Sequence, residues 1–122
     1  MVSGPDKPVI LCIDDNAVAL DIRKMVLEQG GFGVITAHDA SEALAAFQAN
    51  RIDLVLSDHL LKDTTGVEIA RQMKQLKPAV PVVLYSGAPP ETMGPVDCFI
   101  LKTEPPEYLL KRLHDLLRRS RN

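Results

Sequence analysis

The sequence predicts an α/β protein, a doubly wound sheet of five parallel strands with helices on both faces. Short, continuous aliphatic runs alternate with longer segments whose apolar residues recur every three or four positions. The connections between these segments are short, which favours right-handed strand–helix–strand units. Hydrophobic residues make up 46% of the chain and aromatic residues only 4%, so we expect an aliphatic core.

The predicted strands are short apolar runs, which is the pattern of strands buried on both faces of a parallel sheet. In chain order they are Val9–Ile13, Val34–Ala37, Ile52–Ser57, Pro81–Tyr85 and Cys98–Leu101. Since these runs are mostly aliphatic and show no regular polar alternation, we expect helices to cover both faces of the sheet.

The first predicted helix is amphipathic and covers Asn16–Gln29, where Gly30-Gly31 stops it. Four of its apolar residues fall on one helical face: Val18, Ile22, Met25 and Val26. An apolar face of this kind is expected to pack on the sheet.

Capping residues mark the start of the later helices. Asp39 with Glu42, and Thr65 with Glu68, have the spacing of a capping box or a close variant of it. The last helix, Pro105–Arg118, begins with two prolines in the first turn, where no N–H bond is lost. The apolar stripes of these three helices are Ala40, Ala43, Leu44 and Phe47; Val67, Ala70 and Met73; and Leu109, Leu113, Leu116 and Leu117.

Length, charge and composition limit the functions that the chain can have. We expect a single domain over residues 1–122, with a core of about 8–118, because there is no linker or repeat. A net charge of −2 argues against nucleic-acid binding by this domain. No apolar run has the length of a membrane span and Met1–Pro8 has no signal-peptide pattern, so we expect a cytoplasmic protein without membrane contact. Cys12 and Cys98 lie in apolar runs and are expected to be buried, reduced thiols.

Three of the predicted strands deliver charged side chains where they end. Asp14 and Asp15 follow the first strand, Asp58 follows the third, and Lys102 follows the fifth. In an open parallel sheet functional residues collect beyond the carboxyl ends of the strands, so we expect these side chains to converge. Three acids and one ammonium form a cation site with its own counter-charge, and such a site suits Mg²⁺ and a phosphoryl group.

These residues resemble the receiver domain of two-component response regulators. The matching set consists of acids, a hydroxyl and a lysine at strand ends: Asp14, Asp15, Asp58, Ser86 and Lys102. Gly66 also matches the glycine that ends the phosphorylation loop of the family. The resemblance covers essentially the whole chain. It implies a flavodoxin-like fold with strand order 2-1-3-4-5 and a role in signal transduction and phosphorelay.

The resemblance implies that Asp58 accepts a phosphoryl group from a histidine kinase or phosphotransfer protein in a Mg²⁺-dependent reaction. It implies that Asp15 holds the metal directly and Asp14 through water, with Asp58 and the backbone carbonyl of Leu60 as further ligands. Lys102 would pair with a carboxylate at rest and with a phosphoryl oxygen after the transfer. The domain would be no enzyme in the usual sense, since it would catalyse only its own phosphorylation and dephosphorylation.

Two further residues would report the phosphorylated state. Ser86 would donate its hydroxyl to a phosphoryl oxygen, and Phe99 stands where the family has an aromatic switch residue. The conformational change would then be read by a downstream effector protein or domain. Simpler roles exist for some of these residues, because a phenylalanine in a strand is ordinarily core and an acid before a helix, such as Asp15, ordinarily caps it.

Two of the chain's departures from the family pattern affect the expected structure. Thr103 replaces the proline that usually follows the lysine, and we expect the Lys102–Thr103 bond to be cis all the same, although a cis bond before such a residue costs about 2.5–4 kcal/mol. Ser86 and Lys102 are 16 residues apart, and Ala88–Pro95 between them holds three prolines and a glycine. An extended helix is excluded there, so the fourth of the family's five helices should be shortened or absent. We expect a loop that leaves an apolar part of the sheet edge open.

Other function classes share parts of this pattern. A receiver-like module that binds partners without phosphorylation would keep the fold, but the complete acceptor set argues against it. A flavin-binding module would need a Ser/Thr/Gly-rich phosphate cradle in the first loop, where this chain has Asp14-Asp15-Asn16. A phosphohydrolase acting on external substrates would need a second general acid, which the pattern does not supply.

Overall fold

The alternating runs of the sequence form five strands and four helices in the computed structural model, which describes residues 7–120. The strands are β1 (Val9–Ile13), β2 (Gly33–Ala37), β3 (Leu54–Ser57), β4 (Val82–Ser86) and β5 (Cys98–Leu101). The helices are α1 (Ala17–Gln29), α2 (Ala40–Ala49), α3 (Gly66–Leu76) and α4 (Pro106–Ser120). The ends of the predicted domain, residues 1–6 and 121–122, lie outside the described residues, and so does most of Met1–Pro8.

All five strands are parallel and lie in the order β2-β1-β3-β4-β5, which confirms the predicted doubly wound sheet. β3 lies at its centre, with β1 on one side and β4 on the other. Ile13, the last residue of β1, pairs with Ser57, the last residue of β3. The acids that follow these two residues therefore leave the sheet at the same level.

Helices cover both faces of the sheet and create two separate cores. One core joins the sheet to α2 and α3 through residues such as Phe47 and Met73. The other joins it to α1 and α4 through residues such as Leu20 and Leu113. Alternate residues of the central strands point into the two cores, as the continuous apolar runs predicted. No helix within residues 7–120 is long and apolar enough to span a membrane.

The two cysteines are free and buried, as predicted. Burial raises the pKa of the Cys12 thiol to about 11, although the neighbouring Arg23 acts in the opposite direction. Cys98 lies on β5 and receives a contact from the guanidinium of Arg112 at 2.9 Å.

The helix starts follow the capping signals, with one change. The side chains of Asp39 and Thr65 accept hydrogen bonds from the backbone N–H groups of Glu42 and Glu68, as predicted. At α1 the cap is Asn16, which accepts from the N–H of Ala19 at 2.9 Å. Asp15 is therefore free of the capping role that an acid before a helix ordinarily takes.

The predicted packing face of α1 is wrong. Val18, Ile22 and Met25 are 70%, 57% and 57% exposed, while Leu20 and Leu27 face the sheet. The helix carries two apolar stripes, and the buried one contains Arg23 between its two leucines. The exposed stripe has the more regular apolar pattern, because the buried stripe is interrupted by this arginine, which pairs with Asp14.

The connection from β4 to β5 contains neither a helix nor a strand in residues 87–97, so the predicted loss of the family's fourth helix is confirmed. The expected open apolar edge is wrong. Val96 is 8% exposed, and the half-buried Met93 packs with Phe99 against the core that includes Val67. The segment therefore lies down on α3 and covers the sheet where the missing helix would have been.

The predicted cis bond before Thr103 is also wrong, because the Lys102–Thr103 peptide bond is trans. The N–H of Glu104 donates to the carbonyl of Leu101 at 3.1 Å, which closes a tight turn after β5. A turn of this kind reverses the chain with trans bonds alone, so the cost of a cis bond before threonine is avoided.

Close packing at Gly66 fixes the loop between β3 and α3. The N–H of Gly66 donates to the carbonyl of His59 at 2.6 Å. A Cβ added at Gly66 would lie 2.5 Å from the carbonyl oxygen of Asp58 and would overlap the side chain of Leu84. A side chain at this position therefore requires the backbone of Asp58 to move.

We predict that Gly66→Ala lowers the free energy of unfolding by about 1–3 kcal/mol, because the overlap involves backbone atoms. Gly87→Ala is the matched control, since a Cβ there meets nothing within 4 Å, and its effect should stay within about 0.5 kcal/mol. Urea unfolding followed by circular dichroism measures both changes. Equal unfolding midpoints for the two variants would contradict the prediction.

Candidate functional site

The predicted acids do converge at the carboxyl edge of the sheet. Asp14, Asp15 and Asp58 each offer a carboxylate oxygen, and these three oxygens lie within 4.8 Å of one another. Asp14 is 1% exposed, while Asp15 and Asp58 are partly buried. The N–H of Asp58 donates to the carbonyl of Ile13 at 3.0 Å, so the β1–β3 ladder itself holds the acids together.

Lys102 brings its ammonium to the same place. Its Nζ lies 3.3 Å from Oδ2 of Asp58 and 3.7 Å from Oδ2 of Asp14. Its backbone N–H donates to the carbonyl of Ser86 at 2.9 Å, which ties the lysine to the end of β4. The lysine therefore reaches two carboxylates from a turn that contains no cis bond.

A second cation enters the site, and sequence reasoning missed it. Nη1 of Arg23, on α1, donates to Oδ2 of Asp14 at 2.9 Å. The exposed fractions of the two side chains are 10% and 2%. The guanidinium also lies over the ring of Tyr85, with its central carbon 4.9 Å from the ring centroid. The site thus contains three carboxylates and two side-chain cations.

One signal in the sequence could have revealed Arg23. It stands between Leu20 and Leu27, at positions that share one face of a helix. An arginine in the middle of a buried stripe requires a counter-charge. Asp21 and Glu28 are nearer along the chain but occupy exposed positions of the helix, which leaves the acids that precede the helix, Asp14 and Asp15. The less regular apolar stripe, which Arg23 interrupts, was therefore the one that indicated the packing face of α1.

The electrostatics of Asp14 follow from these contacts. Burial alone would raise its pKa, but the N–H of Asn16 donates to Oδ1 at 2.9 Å, and Arg23 and Lys102 lie beside Oδ2. These contacts outweigh the burial and hold the pKa of Asp14 below its usual value. Asp14 is therefore a carboxylate at neutral pH even though water barely reaches it.

The remaining predicted residues lie on β4, on β5 and in the loop after β3. Ser86 ends β4, is 8% exposed and pairs with Leu101 across the β4–β5 ladder. Phe99 is half-buried and packs in the core under α2 and α3. Leu60 is 69% exposed and forms a bridge with Thr65 in the loop after β3.

Comparison with known proteins agrees with this geometry. The model of the response regulator receiver domain matches residues 10–114. The chain belongs to this family. A solved CheY-like response regulator receiver domain protein from Methanospirillum hungatei superposes on it with a TM-score of 0.89 and 27% identity, over 95% of this chain and 98% of that one.

Two curated relatives show where such domains occur. The receiver is 30% identical over 118 residues to the alkaline phosphatase synthesis transcriptional regulatory protein PhoP of Bacillus subtilis, which covers 91% of this chain and 49% of PhoP. It is 32% identical over 80 residues to the autoinducer 1 sensor kinase/phosphatase LuxN of Vibrio campbellii, 66% of this chain and 9% of LuxN. The chain thus spans about half the length of the regulator and a small part of the sensor kinase.

Because Arg23 and Lys102 contact the acids differently, replacing Asp14 and replacing Asp58 should change the stability of the protein by different amounts. Asp14→Asn leaves the guanidinium of Arg23 buried without its counter-charge, whereas Asp58→Asn relieves repulsion and leaves Lys102 beside Asp14. We predict that Asp14→Asn lowers the free energy of unfolding by more than about 1 kcal/mol relative to Asp58→Asn. Denaturant unfolding at pH 7 without metal measures the difference. The opposite order would show that the Arg23–Asp14 pair contributes little to stability.

Proposed function

We propose that this receiver accepts a phosphoryl group on Asp58 and that Asp14, Asp15, Lys102 and Ser86 assist the transfer. One observation carries the proposal: three carboxylates converge within 4.8 Å, and the ammonium of Lys102 lies 3.3 Å from Asp58. The proposal treats residues 1–122 as one receiver domain with a core of about 8–118, located in the cytoplasm.

The transfer is a displacement at phosphorus. An oxygen of the Asp58 carboxylate forms the new O–P bond while the N–P bond of a phosphohistidine breaks, and the departing imidazole nitrogen keeps the electron pair and takes up a proton. The transition state spreads negative charge over the equatorial phosphoryl oxygens. Lys102 stands beside the attacking carboxylate and can move its contact from a carboxylate oxygen to a phosphoryl oxygen.

The donor set fits Mg²⁺, which prefers carboxylate and carbonyl oxygens and keeps several waters. We assign Asp15 and Asp58 as direct ligands, with the carbonyl of Leu60, and Asp14 as a ligand through water. Asp15 fits this role because Asn16 caps the helix and the carboxylate of Asp15 is half-buried at the open side of the cluster. When bound, the metal would supply positive charge for the phosphoryl oxygens.

Ser86 and Phe99 are proposed to report the phosphorylated state. The hydroxyl of Ser86 sits at the end of β4, next to the turn that carries Lys102. Phe99 shares its core with Met93, in the loop that replaces the missing helix. A shift of Ser86 toward a phosphoryl oxygen would therefore be passed through β5 to this loop and on to a downstream effector.

Phosphorylation-independent binding is the less favoured alternative, because the acceptor set is complete and assembled. We propose that the domain acts on no external substrate and turns over only its own phosphoryl group. A histidine kinase or a phosphotransfer protein would be the donor, and this domain itself would bind neither nucleic acid nor membrane.

The exposed apolar stripe of α1 supports a contact with the phosphodonor protein. Val18, Ile22 and Met25 are all more than half exposed and lie on the helix that begins directly after Asp14 and Asp15. Exposed apolar residues grouped in this way mark interaction surfaces. A donor bound there would hold its phosphohistidine close to Asp58.

We predict Mg²⁺-dependent phosphorylation at Asp58. Incubation with acetyl phosphate and Mg²⁺, or with beryllofluoride and Mg²⁺, should give an adduct by intact mass or by calorimetry. Asp58→Asn should give none, and Asp15→Asn should weaken metal binding far more than Ser86→Ala does. An unmodified wild-type protein, or an equal adduct in Asp58→Asn, would refute the proposal.

We also predict that Val18→Lys slows phosphoryl transfer from a histidine kinase about tenfold or more, because a charge within an apolar contact is costly. Phosphorylation by acetyl phosphate should keep its wild-type rate, since the small donor needs no docking surface. Leu76→Lys is the control, because Leu76 is 45% exposed on α3. The donor would be the kinase that transfers fastest from a screened panel. Equal transfer rates for Val18→Lys and Leu76→Lys would place the docking surface elsewhere.

A further inference from the structure

Arg23 carries a positive charge into the acid cluster from the second turn of α1. Side chains on a helix lean toward its N-terminus, so this long side chain extends back along α1 toward Asp14. Its guanidinium donates to Oδ2 of Asp14 at 2.9 Å, the same oxygen that lies 3.7 Å from Nζ of Lys102. The other oxygen, Oδ1, accepts the N–H of Asn16. Both oxygens of Asp14 are therefore engaged by groups of this chain.

We propose that Arg23 is a positioning residue of the phosphoacceptor site, whose charge weakens Mg²⁺ binding and strengthens the binding of a phosphoryl group. The inference rests on the proposed function, because it assigns a role in that same site.

The charge count of the cluster supports the first half of the proposal. Three carboxylates and Lys102 alone would leave two net negative charges, which attract a divalent cation strongly. Arg23 reduces this to one net negative charge. In addition, Mg²⁺ must compete with the guanidinium for Asp14, because the two attract the same carboxylate. Both effects lower the affinity for the metal.

The same count supports the second half. Phosphorylation replaces the single charge of Asp58 by about two negative charges on the acyl phosphate. With Mg²⁺, Lys102 and Arg23 present, the phosphorylated cluster is then neutral, whereas without Arg23 it would carry one net negative charge. The second cation therefore favours the phosphorylated form over the unphosphorylated, metal-bound form.

The surroundings of Arg23 let it keep its charge and still adjust its position. The ring of Tyr85, 4.9 Å from the central guanidinium carbon, stabilises the cation from one side. A groove of about 280 Å³ lies beside Arg23 between α1 and the start of α4, where Ile22 and Pro106 line it. The guanidinium can shift into this space when the metal attracts Asp14.

Calorimetric titration of Mg²⁺ into the whole chain tests the first half. Arg23→Met removes the charge and keeps much of the side-chain volume, and we expect its dissociation constant for Mg²⁺ to fall about tenfold relative to wild type. Arg23→Lys keeps the charge and should stay within about threefold of wild type. Arg51→Met, which removes a 60% exposed guanidinium before β3, should leave the constant unchanged. Equal or weaker metal binding by Arg23→Met would overturn the proposal.

Beryllofluoride titration at saturating Mg²⁺ tests the second half, because loss of the Arg23 charge should weaken beryllofluoride binding while it strengthens Mg²⁺ binding. Arg23→Met should bind the phosphoryl analogue about tenfold more weakly than wild type and Arg51→Met. A purely structural role of Arg23 would weaken both Mg²⁺ and beryllofluoride binding together, and this result would overturn the proposal.

A measurement on the wild-type protein keeps the proposal testable if Arg23→Met does not fold. In NMR spectra, the ring resonances of Tyr85 should shift as Mg²⁺ is added, and the midpoint of this shift should equal that of the calorimetric titration. The ring resonances of Tyr108, which is 42% exposed on α4, should not shift. An unmoved Tyr85 ring would contradict the competition of the metal with Arg23. A wild-type protein that binds neither Mg²⁺ nor beryllofluoride would instead refute the proposed function.

Discussion

The structure depends on the concentration of negative charge at one edge of an otherwise apolar sheet. Backbone pairing of β1 with β3 forces Asp14 and Asp58 to the same level, so their repulsion is built into the fold. Two cations from other elements offset it, Lys102 from the turn after β5 and Arg23 from α1. Because these cations come from opposite ends of the sequence, the acid cluster links α1, the central strands and the last turn.

Periodicity and strand ends were sufficient to predict the doubly wound parallel sheet and the convergence of its charged residues, whereas the strand order came from the resemblance to receiver domains. The five aliphatic runs predicted the parallel sheet, because strands covered on both faces need apolar residues at every position. The positions of Asp14, Asp15, Asp58 and Lys102 followed from the rule that parallel strands end at one edge. Both features depend only on the order of residues along the chain.

The errors arose where a local pattern was outweighed by tertiary contacts. The face of α1 was assigned from its apolar residues, but a buried arginine paired with Asp14 made the less regular stripe the inner one. The turn after Lys102 was expected to need a cis bond, but the hydrogen bond from Glu104 to Leu101 closes it in the trans form. The loop before β5 was expected to leave the sheet open, but Met93 and Val96 bury it. Each of these outcomes depends on a partner distant in sequence or on a backbone geometry that composition does not encode.

The crossover from β4 to β5 without a helix changes the kind of motion that this edge can support. A helix moves as a rigid body, because its backbone hydrogen bonds connect every turn to the next. The segment of residues 87–97 has no such ladder. It is held by a few side chains, namely Met93 and Val96 in the core shared with α3 and Asp97, whose carboxylate lies 2.7 Å from Nζ of Lys74 on α3. The response of this segment that costs the least free energy is local loosening, which is an order–disorder change and not a rotation. A signal that leaves this edge of the sheet would therefore consist of a change in the ordered fraction of the loop.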